Sequence, residues 1–517
     1  MKLLPETLPD ETNALQKMVL DYQSTVDQLQ EKLQWYEEQF RLLQHQRFGA
    51  SSEKCPDQME LFNEAESILD ALEKEESDLE ETVSYQRKRP GRKPLSRHIP
   101  REVVRYELPE AERVCDCGHA LHEAGEDKSE QLEIIPAQIK VIEHVQVKYA
   151  CRACENGIIS VPKPAQPIPR SFASPSLLAY IIVAKFMDSL PLYRQETIFK
   201  RLSIDLSRAT LSNWVLKSAE LLAPFYDRLH QLLILQKIIQ ADETPLNVIQ
   251  DGRETKSKSY MWLYQSGGHE SGQPIVLYDY QATRAGAHAA SFLLGFSGHL
   301  QVDGYAGYHA LASDNCTLVG CMAHARRKFD EALNALPKTS RKDKMGMAQT
   351  ALRKFTRLYG LEKQFKDLTI DQRYLLRQEK SKPLLEDLKQ WCDDNVTRTA
   401  KDSSIGKAIR YTINQWDSLV RYIEDGNLQL DNNAAERHIK PFVIGRKNWL
   451  FNQTPRGANA SALLYSLVQT AVANNLEPFD YLKYLLTELP RLGRHYEPDA
   501  LDQFLPWNLI EKIKPLK

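Results

Sequence analysis

Leu15, Val19, Tyr22, Val26, Leu29, Leu33, Tyr36, Phe40 and Leu43 follow one another at alternating steps of four and three residues. An apolar repeat of this kind, held for about four heptads without glycine or proline, predicts a coiled coil over residues 13–46 and with it a homodimer. A single amphipathic helix lying on its own protein is the competing reading of the same stripe. Helical spacing returns over residues 176–234. There LYRQETIFKRL, a short break and SRATLSNWVLK read as a helix-turn-helix, with Ser207 capping the second helix. In that geometry Arg208, Thr210, Ser212 and Asn213 face outward, where they would read base edges.

From residue 235 the pattern shortens to apolar runs of strand length. KIIQADETPLNV (Lys237–Val248), SYMWLYQSG (Ser259–Gly267) and QPIVLYDYQ (Gln273–Gln281) are followed by the helical RAGAHAASFLLGF (Arg284–Phe296). Two more runs, HLQVDGY and CTLVGCMAHA, complete residues 235–325. Three strands, a helix and two strands is the order of a ribonuclease H-like α/β core, in which the first and fourth strands are neighbours. Residues 326–427 are helical and rich in Lys and Arg without a strand signal, which predicts a helical insertion. The core resumes over 428–455, and 456–517 form a C-terminal helical region. The predicted whole is a multidomain α+β chain.

Charge adds what periodicity leaves out. The net charge of −2 points to no partner, but its distribution does. Residues 56–84 are strongly acidic and read as a solvated linker. Residues 85–110 reverse the sign, and the RPGRKP core with Arg89, Arg92 and Lys93 suits an extended arm that grips DNA phosphates. A solvated tail, neutralised by the acidic run beside it, fits nearly as well. No apolar run reaches the length of a membrane span, and MKLLPETLPDET is not a signal peptide, so a cytoplasmic protein without a membrane partner is expected.

The cysteines are spaced as in a metal-binding protein rather than a disulfide scaffold. Cys115 and Cys117 in VCDCGHAL, with Cys151 and Cys154 in YACRACENG, suit a tetrahedral structural Zn²⁺ in a zinc ribbon over residues 111–160. The alternating stretch between the pairs predicts two strands. The first pair is C-x-C, which leaves His119, His122 or His144 as an alternative ligand. Cys321 and His324 form a further C-x2-H pair, short of a metal site on their own and read as core residues that orient the site.

Asp242 and Asp303 each end an apolar strand run, and Glu436 lies one turn into a helix opening at Asp431 or Asn432. Singly these are a turn former, a strand cap and a surface residue. Together they suggest a carboxylate cluster for two Mg²⁺ or Mn²⁺ ions, the hard-ligand arrangement that phosphodiester chemistry uses. Arg437, Lys440, Arg446 and Lys447 follow on the same helix and would hold the DNA backbone. Glu243, Asp279, Asp314 and Asp431 are set aside as ligands, and Trp416 is read as helix-bundle core before base stacking.

At these residues the chain resembles a known family. RFGASSEK, GRKPL, VCDCGH with KYACRAC, ADETPLNV, VDGYAGY, GCMAHARRKF, DNNAAERHIKPFVIGRKNWLF and ASALLYSLVQTAVANNLEP are similar to the bacterial insertion-sequence transposases of the insertion-sequence-sixty-six family, large TnpC-type subunit. The stretches run in family order over nearly the whole chain. The resemblance implies a DDE transposase with Asp242, Asp303 and Glu436 as its metal-binding triad, acting on terminal inverted repeats and target DNA near the nucleoid. It also implies two accessory transposition proteins. The family's first cysteine pair is usually C-x2-C, from which this chain departs. Two other classes share these features: a DNA-binding repressor or architectural protein with an inactive ribonuclease H-like domain, and a nuclease or resolvase that does not join strands.

Overall fold

The computed structural model describes residues 12–48, 139–150, 158–161, 163–253, 258–270, 272–313, 315–337, 346–493 and 496–516. The cysteines Cys115, Cys117, Cys151 and Cys154, the acidic run and the arm residues Arg89, Arg92 and Lys93 lie outside them. The chain forms two compact units, one of residues 76–163 and one of the remainder. In the smaller unit β1 (Lys148–Ala150) pairs antiparallel with β2 (Ile158–Ser160). The alternation before β1 forms no strand over residues 139–147, where Val141 and Val145 are exposed. Alternation produces a strand only where one face finds a core or an edge to pair with.

In the larger unit α1 (Thr12–Phe48) is followed by α2 (Pro175–Phe186), α3 (Leu192–Arg201) and α4 (Arg208–Ile234). A five-stranded mixed sheet comes next, built from β3 (Ile238–Leu246), β4 (Ser259–Ser266), β5 (Val276–Gln281), β6 (Gly298–Gln301) and β7 (Cys316–Val319), with α5 (Gly286–Phe292) between β5 and β6. Its spatial order is β5-β4-β3-β6-β7. The first three strands are antiparallel, and β3, β6 and β7 are parallel. The expected pairing of first and fourth strands is present, with Gln240 opposite Gln301. Gly298 makes this close approach feasible, since a Cβ there would lie 2.2 Å from the Lys237 carbonyl oxygen.

Buried amides lock that register. Gln240 donates to Gln301 (2.8 Å) and Gln429 (3.0 Å) and accepts from Gln265 (2.8 Å), while Gln301 donates to the Gln429 carbonyl (2.7 Å). Apolar residues would bury as well here, but a satisfied amide ladder admits one register only. Both sheet edges are covered by side chains that take up backbone groups. From α13 (Pro455–Ala473), Thr470 and Ser466 accept the β5 N–H groups of Val276 (3.0 Å) and Tyr278 (2.7 Å). On the far edge, Arg421 donates to the Leu318 carbonyl of β7 (2.7 Å). An edge so occupied offers no template for another strand.

After β7 come α6 (Met322–Ala335), α7 (Met347–Gln364), α8 (Ile370–Leu376), α9 (Lys382–Val396), α10 (Ser404–Asn414) and α11 (Trp416–Val420), before α12 (Asn433–Trp449), α13 and α14 (Pro478–Glu488). Two hydrophobic cores result. One joins the sheet to α2, α4, α12, α13 and α14. The other gathers Phe329, Phe355, Leu385, Leu388, Ile409 and Tyr422 from the helices after β7, with Trp416 packed against it as expected. Helix α1 docks on this second assembly through Glu38, which accepts from the Ser404 amide (3.1 Å) and hydroxyl (2.9 Å) at the start of α10. Its heptad stripe is not the docked face: Val19, Val26, Leu29, Leu33, Tyr36, Phe40 and Leu43 are all exposed.

The return from the insertion is held by a buried arginine. Arg377, fully buried, bonds Glu362 (2.9 and 2.6 Å) and the carbonyls of Tyr422, Asp425 and Leu428 (2.8, 2.9 and 2.9 Å). Removing one partner of such a buried pair leaves a charge without compensation, at a cost of about 3–5 kcal/mol. Arg377→Ala is therefore expected to destabilise the insertion by that order, measured by urea denaturation. Hydrogen exchange should accelerate over residues 422–432 before it does in β3 and β4.

Candidate active site

The parallel register of β3 and β6, carried two residues beyond Gln240 and Gln301, sets Asp242 opposite Asp303. Each carboxylate is pre-oriented by a local bond: Asp242 accepts the Glu243 N–H (2.8 Å) and Asp303 the Tyr305 N–H (2.9 Å). Gly304 follows, where a Cβ would come 2.5 Å from the hydroxyl of Tyr411 on α10. The turn after Asp303 therefore runs directly under the helical insertion.

Glu436 arrives from α12, whose start is fastened to β3 and to the N-cap residue of α6. The Asn432 N–H donates to the Cys321 thiol (3.2 Å), and its side-chain amide donates to the carbonyl of Ala241, next to Asp242 (2.8 Å). Asn432 is the N-cap residue but makes no side-chain cap bond; its NH2 is turned to β3 and its Oδ1 stays without a hydrogen-bond partner. Asp431 instead accepts the Asn433 N–H (3.1 Å). Glu436 is buried. One oxygen lies 3.3 Å from Arg327 and the other 3.6 Å from Nδ1 of His324.

The electrostatics are those of an acidic cluster that neighbouring cations compensate only in part. Burial raises the Asp242 carboxyl well above its usual range, and the charges of Glu243, Glu436 and Asp303 raise it further. Burial likewise raises Asp303. It lifts Glu436 to about 7 against the pull of Arg327, with Asp431 and Asp303 adding to the rise. Each of the three expected acids thus lies within the field of another. Glu436 also has a buried oxygen without a hydrogen-bond partner. Oxygen donors that repel one another fit a hard divalent cation, whose charge would remove the penalty.

Glu243 is not part of this set. It is sequestered by Arg284 (2.8 and 2.5 Å) and the Tyr308 hydroxyl (2.6 Å), and Arg284 stacks on the Tyr305 ring at 3.8 Å. Arg284, Arg327, Tyr305, Tyr308 and Tyr411 were not singled out by sequence reasoning. The only signals were the basic and aromatic residues in HARRK, RAGAH and GYAGY, and none pointed to Tyr411. Asp279 lies on β5, bonded to Gln281 (2.7 Å) and raised to about 6 by burial.

The expected DNA contacts divide. On α4, Ser207 caps the helix by accepting the Thr210 N–H (3.2 Å), and Arg208, Ser212 and Asn213 are exposed. Thr210 is half-buried, with its hydroxyl 3.0 Å from Ser207, so it serves the cap. On α12, Arg437 and Lys447 are exposed and Lys440 is half-buried. Arg446 departs from expectation: it bonds the Thr244 hydroxyl (3.2 Å) and the Pro245 carbonyl, and so ties α12 to β3 rather than facing solvent. A guanidinium beside a strand end finds unpaired acceptors that a sequence pattern does not display. No helix among the described residues is long and apolar enough to cross a membrane.

Comparison with known proteins gives four matches in chain order. Residues 170–460 match the model described as Transposase IS66 family. Residues 112–155 match the zinc-finger binding domain of transposase IS66, and residues 35–104 match the Transposase C of IS166 homeodomain. Residues 466–507 match the IS66 C-terminal element. Among similar proteins, the uncharacterized protein y4jD of Sinorhizobium fredii is 32% identical over 525 residues, covering 98% of each chain. The uncharacterized protein y4hP of the same organism is 33% identical, covering 82% of this chain and 78% of its own.

The raised carboxyl of Glu436 has a consequence for stability. A group that binds its proton more tightly folded than unfolded contributes stability fully present below its unfolded value of 4.5, and this is lost as pH rises through about 7. Metal-free protein should therefore lose on the order of 3 kcal/mol between pH 4.5 and pH 8 from this group. Denaturant titrations should show a flatter profile for Glu436→Gln, and saturating Mg²⁺ should restore the wild-type loss.

Proposed function

The chain belongs to the IS66 transposase family, and we propose that it catalyses DNA transposition through a DDE triad of Asp242, Asp303 and Glu436. The observation that carries this reading is the meeting of three repelling carboxylates, one within β3, one just past β6 and one in the first turn of α12. The strand order supports a ribonuclease H-like core, in which the helix after an insertion brings the last acid to the sheet. Two Mg²⁺ or Mn²⁺ ions held by these acids would supply charge neutralisation at the attacking and leaving oxygens. The chain's own residues do the rest. Asp242 and Asp303 hold their positions through the bonds from Glu243 and Tyr305, and Arg327 steadies one Glu436 oxygen.

In this reading water attacks the phosphodiester at each element end, and the released 3′-hydroxyl then attacks a target phosphodiester. Both are single displacements at phosphorus without a covalent protein–DNA bond. Exposed Arg208, Ser212 and Asn213 on α4 would read the terminal repeats, while Arg437, Lys440 and Lys447 on α12 would lie along the backbone. The basic arm with Arg89, Arg92 and Lys93 adds phosphate contacts, and the cysteine set at Cys115, Cys117, Cys151 and Cys154 holds Zn²⁺. Accessory proteins encoded by the element would complete the assembly, in the cytoplasm at the nucleoid.

Labelled element-end DNA incubated with plasmid target and Mg²⁺ should yield joined products with wild type. Asp303→Asn should lower the yield at least about a hundredfold, the scale on which single catalytic groups act. Equal joining by both proteins would refute the triad, and DNA binding without cleavage by either would replace it with the repressor reading. The uncovered stripe of α1 generates a separate expectation. Leu29→Asp combined with Leu33→Asp should halve the mass measured by sedimentation equilibrium, while the helix stays docked through Glu38.

A further inference from the structure

Cys321, His324 and Glu436 each present one ligand atom within 4.8 Å of the others, the one such group among the described residues. Three features mark this as more than chance proximity. Cys321 is the N-cap residue of α6 and His324 lies in the first turn of the same helix, so one rigid element sets both, while Glu436 comes from α12. Nδ1 of His324 and Oε1 of Glu436 are buried, face each other at 3.6 Å and have no hydrogen-bond partner. That gap is longer than a hydrogen bond and suits two donor atoms directed at one shared ion. The sulfur accepts the Asn432 N–H (3.2 Å), the kind of outer contact that stabilises a metal-bound thiolate.

We propose that Cys321, His324 and Glu436 form a transition-metal site for Zn²⁺ or Co²⁺, different in chemistry from the oxygen-only pair Asp242 and Asp303, with Glu436 as the ligand common to both. A thiolate, an imidazole and a carboxylate select zinc-like ions over Mg²⁺. Three protein ligands leave a fourth tetrahedral position open, in contrast to a closed structural site. Binding releases the thiol proton to solvent and leaves redox states unchanged. An ion here draws Glu436 from the hard-metal pair, so Zn²⁺ is an antagonist of Mg²⁺ in strand joining. Only this last consequence rests on the function proposed above; the site itself does not.

The test is Co²⁺ titration of the metal-stripped full chain, followed by d–d and thiolate charge-transfer absorption. The cysteine pairs Cys115/Cys117 and Cys151/Cys154 are the same in every variant and cancel in difference spectra. Wild type should bind one equivalent more than Cys321→Ser or His324→Ala. The wild-type minus Cys321→Ser spectrum should carry the charge-transfer band of one thiolate. His324→Cys should recover the equivalent with a second thiolate band, and Cys392→Ser, which alters a buried thiol of α9 outside the group, should match wild type. Identical stoichiometry and spectra in wild type, His324→Ala and Cys321→Ser, with unchanged melting temperatures, would overturn the proposal. Asp303→Asn separates the two readings: it should retain this cobalt equivalent, whereas strand joining by Asp303→Asn would overturn the triad alone.

Discussion

The parallel pairing of β3 with β6 is the constraint on which the site depends. Parallel neighbours end on the same side of a sheet, so two acids at matching positions past the last ladder bond emerge together. A slip of one residue would turn one of them to the opposite face. The ladder of Gln240, Gln265, Gln301 and Gln429 opposes that slip, because each alternative register strands at least one buried amide. Gln429 also belongs to the chain returning from the insertion, so the same network that sets the strands sets where α12 begins.

Around this frame, basic residues are divided between structure and site. Arg377 and Arg373 are consumed inside the insertion, where carbonyls of its closing loop accept their protons. Arg446 is consumed at the strand end. Arg284 neutralises Glu243 and Arg327 faces Glu436, so the positive charge that enters the acidic cluster comes from the β5–α5 connection and from α6. The cluster is left with more negative charge than positive, which is the condition for holding a cation rather than a salt bridge.

Helix α1 has two working faces. Glu38 and Trp35 meet α10, with the Trp35 ring 5.9 Å from the Lys407 ammonium, while the heptad residues remain outside. The docked side of α1 is therefore not its heptad stripe, and the stripe is the face that the proposed self-association would use. An exposed apolar seam of this length is costly in water, and a second copy of the same seam is its natural complement.

Much of this was determined by sequence alone, because it depends on local periodicity and residue chemistry. The helix of α1, the Ser207 cap, the apolar runs before Asp242 and Asp303, and the helix that carries Glu436 follow from spacing and residue chemistry, but Asp242 does not end its strand, because pairing with β4 carries β3 on to Leu246. Tertiary structure decided what requires knowing who lies opposite. It opposed Asp242 to Asp303, turned Arg446 inward and Thr210 into its cap, and left residues 139–147 without a strand. It also brought Cys321 and His324, too few alone to bind an ion, against the carboxylate of Glu436 more than a hundred residues away. Periodicity records which face of an element is apolar, but not which distant side chain will meet it, and an ion site is made of such meetings.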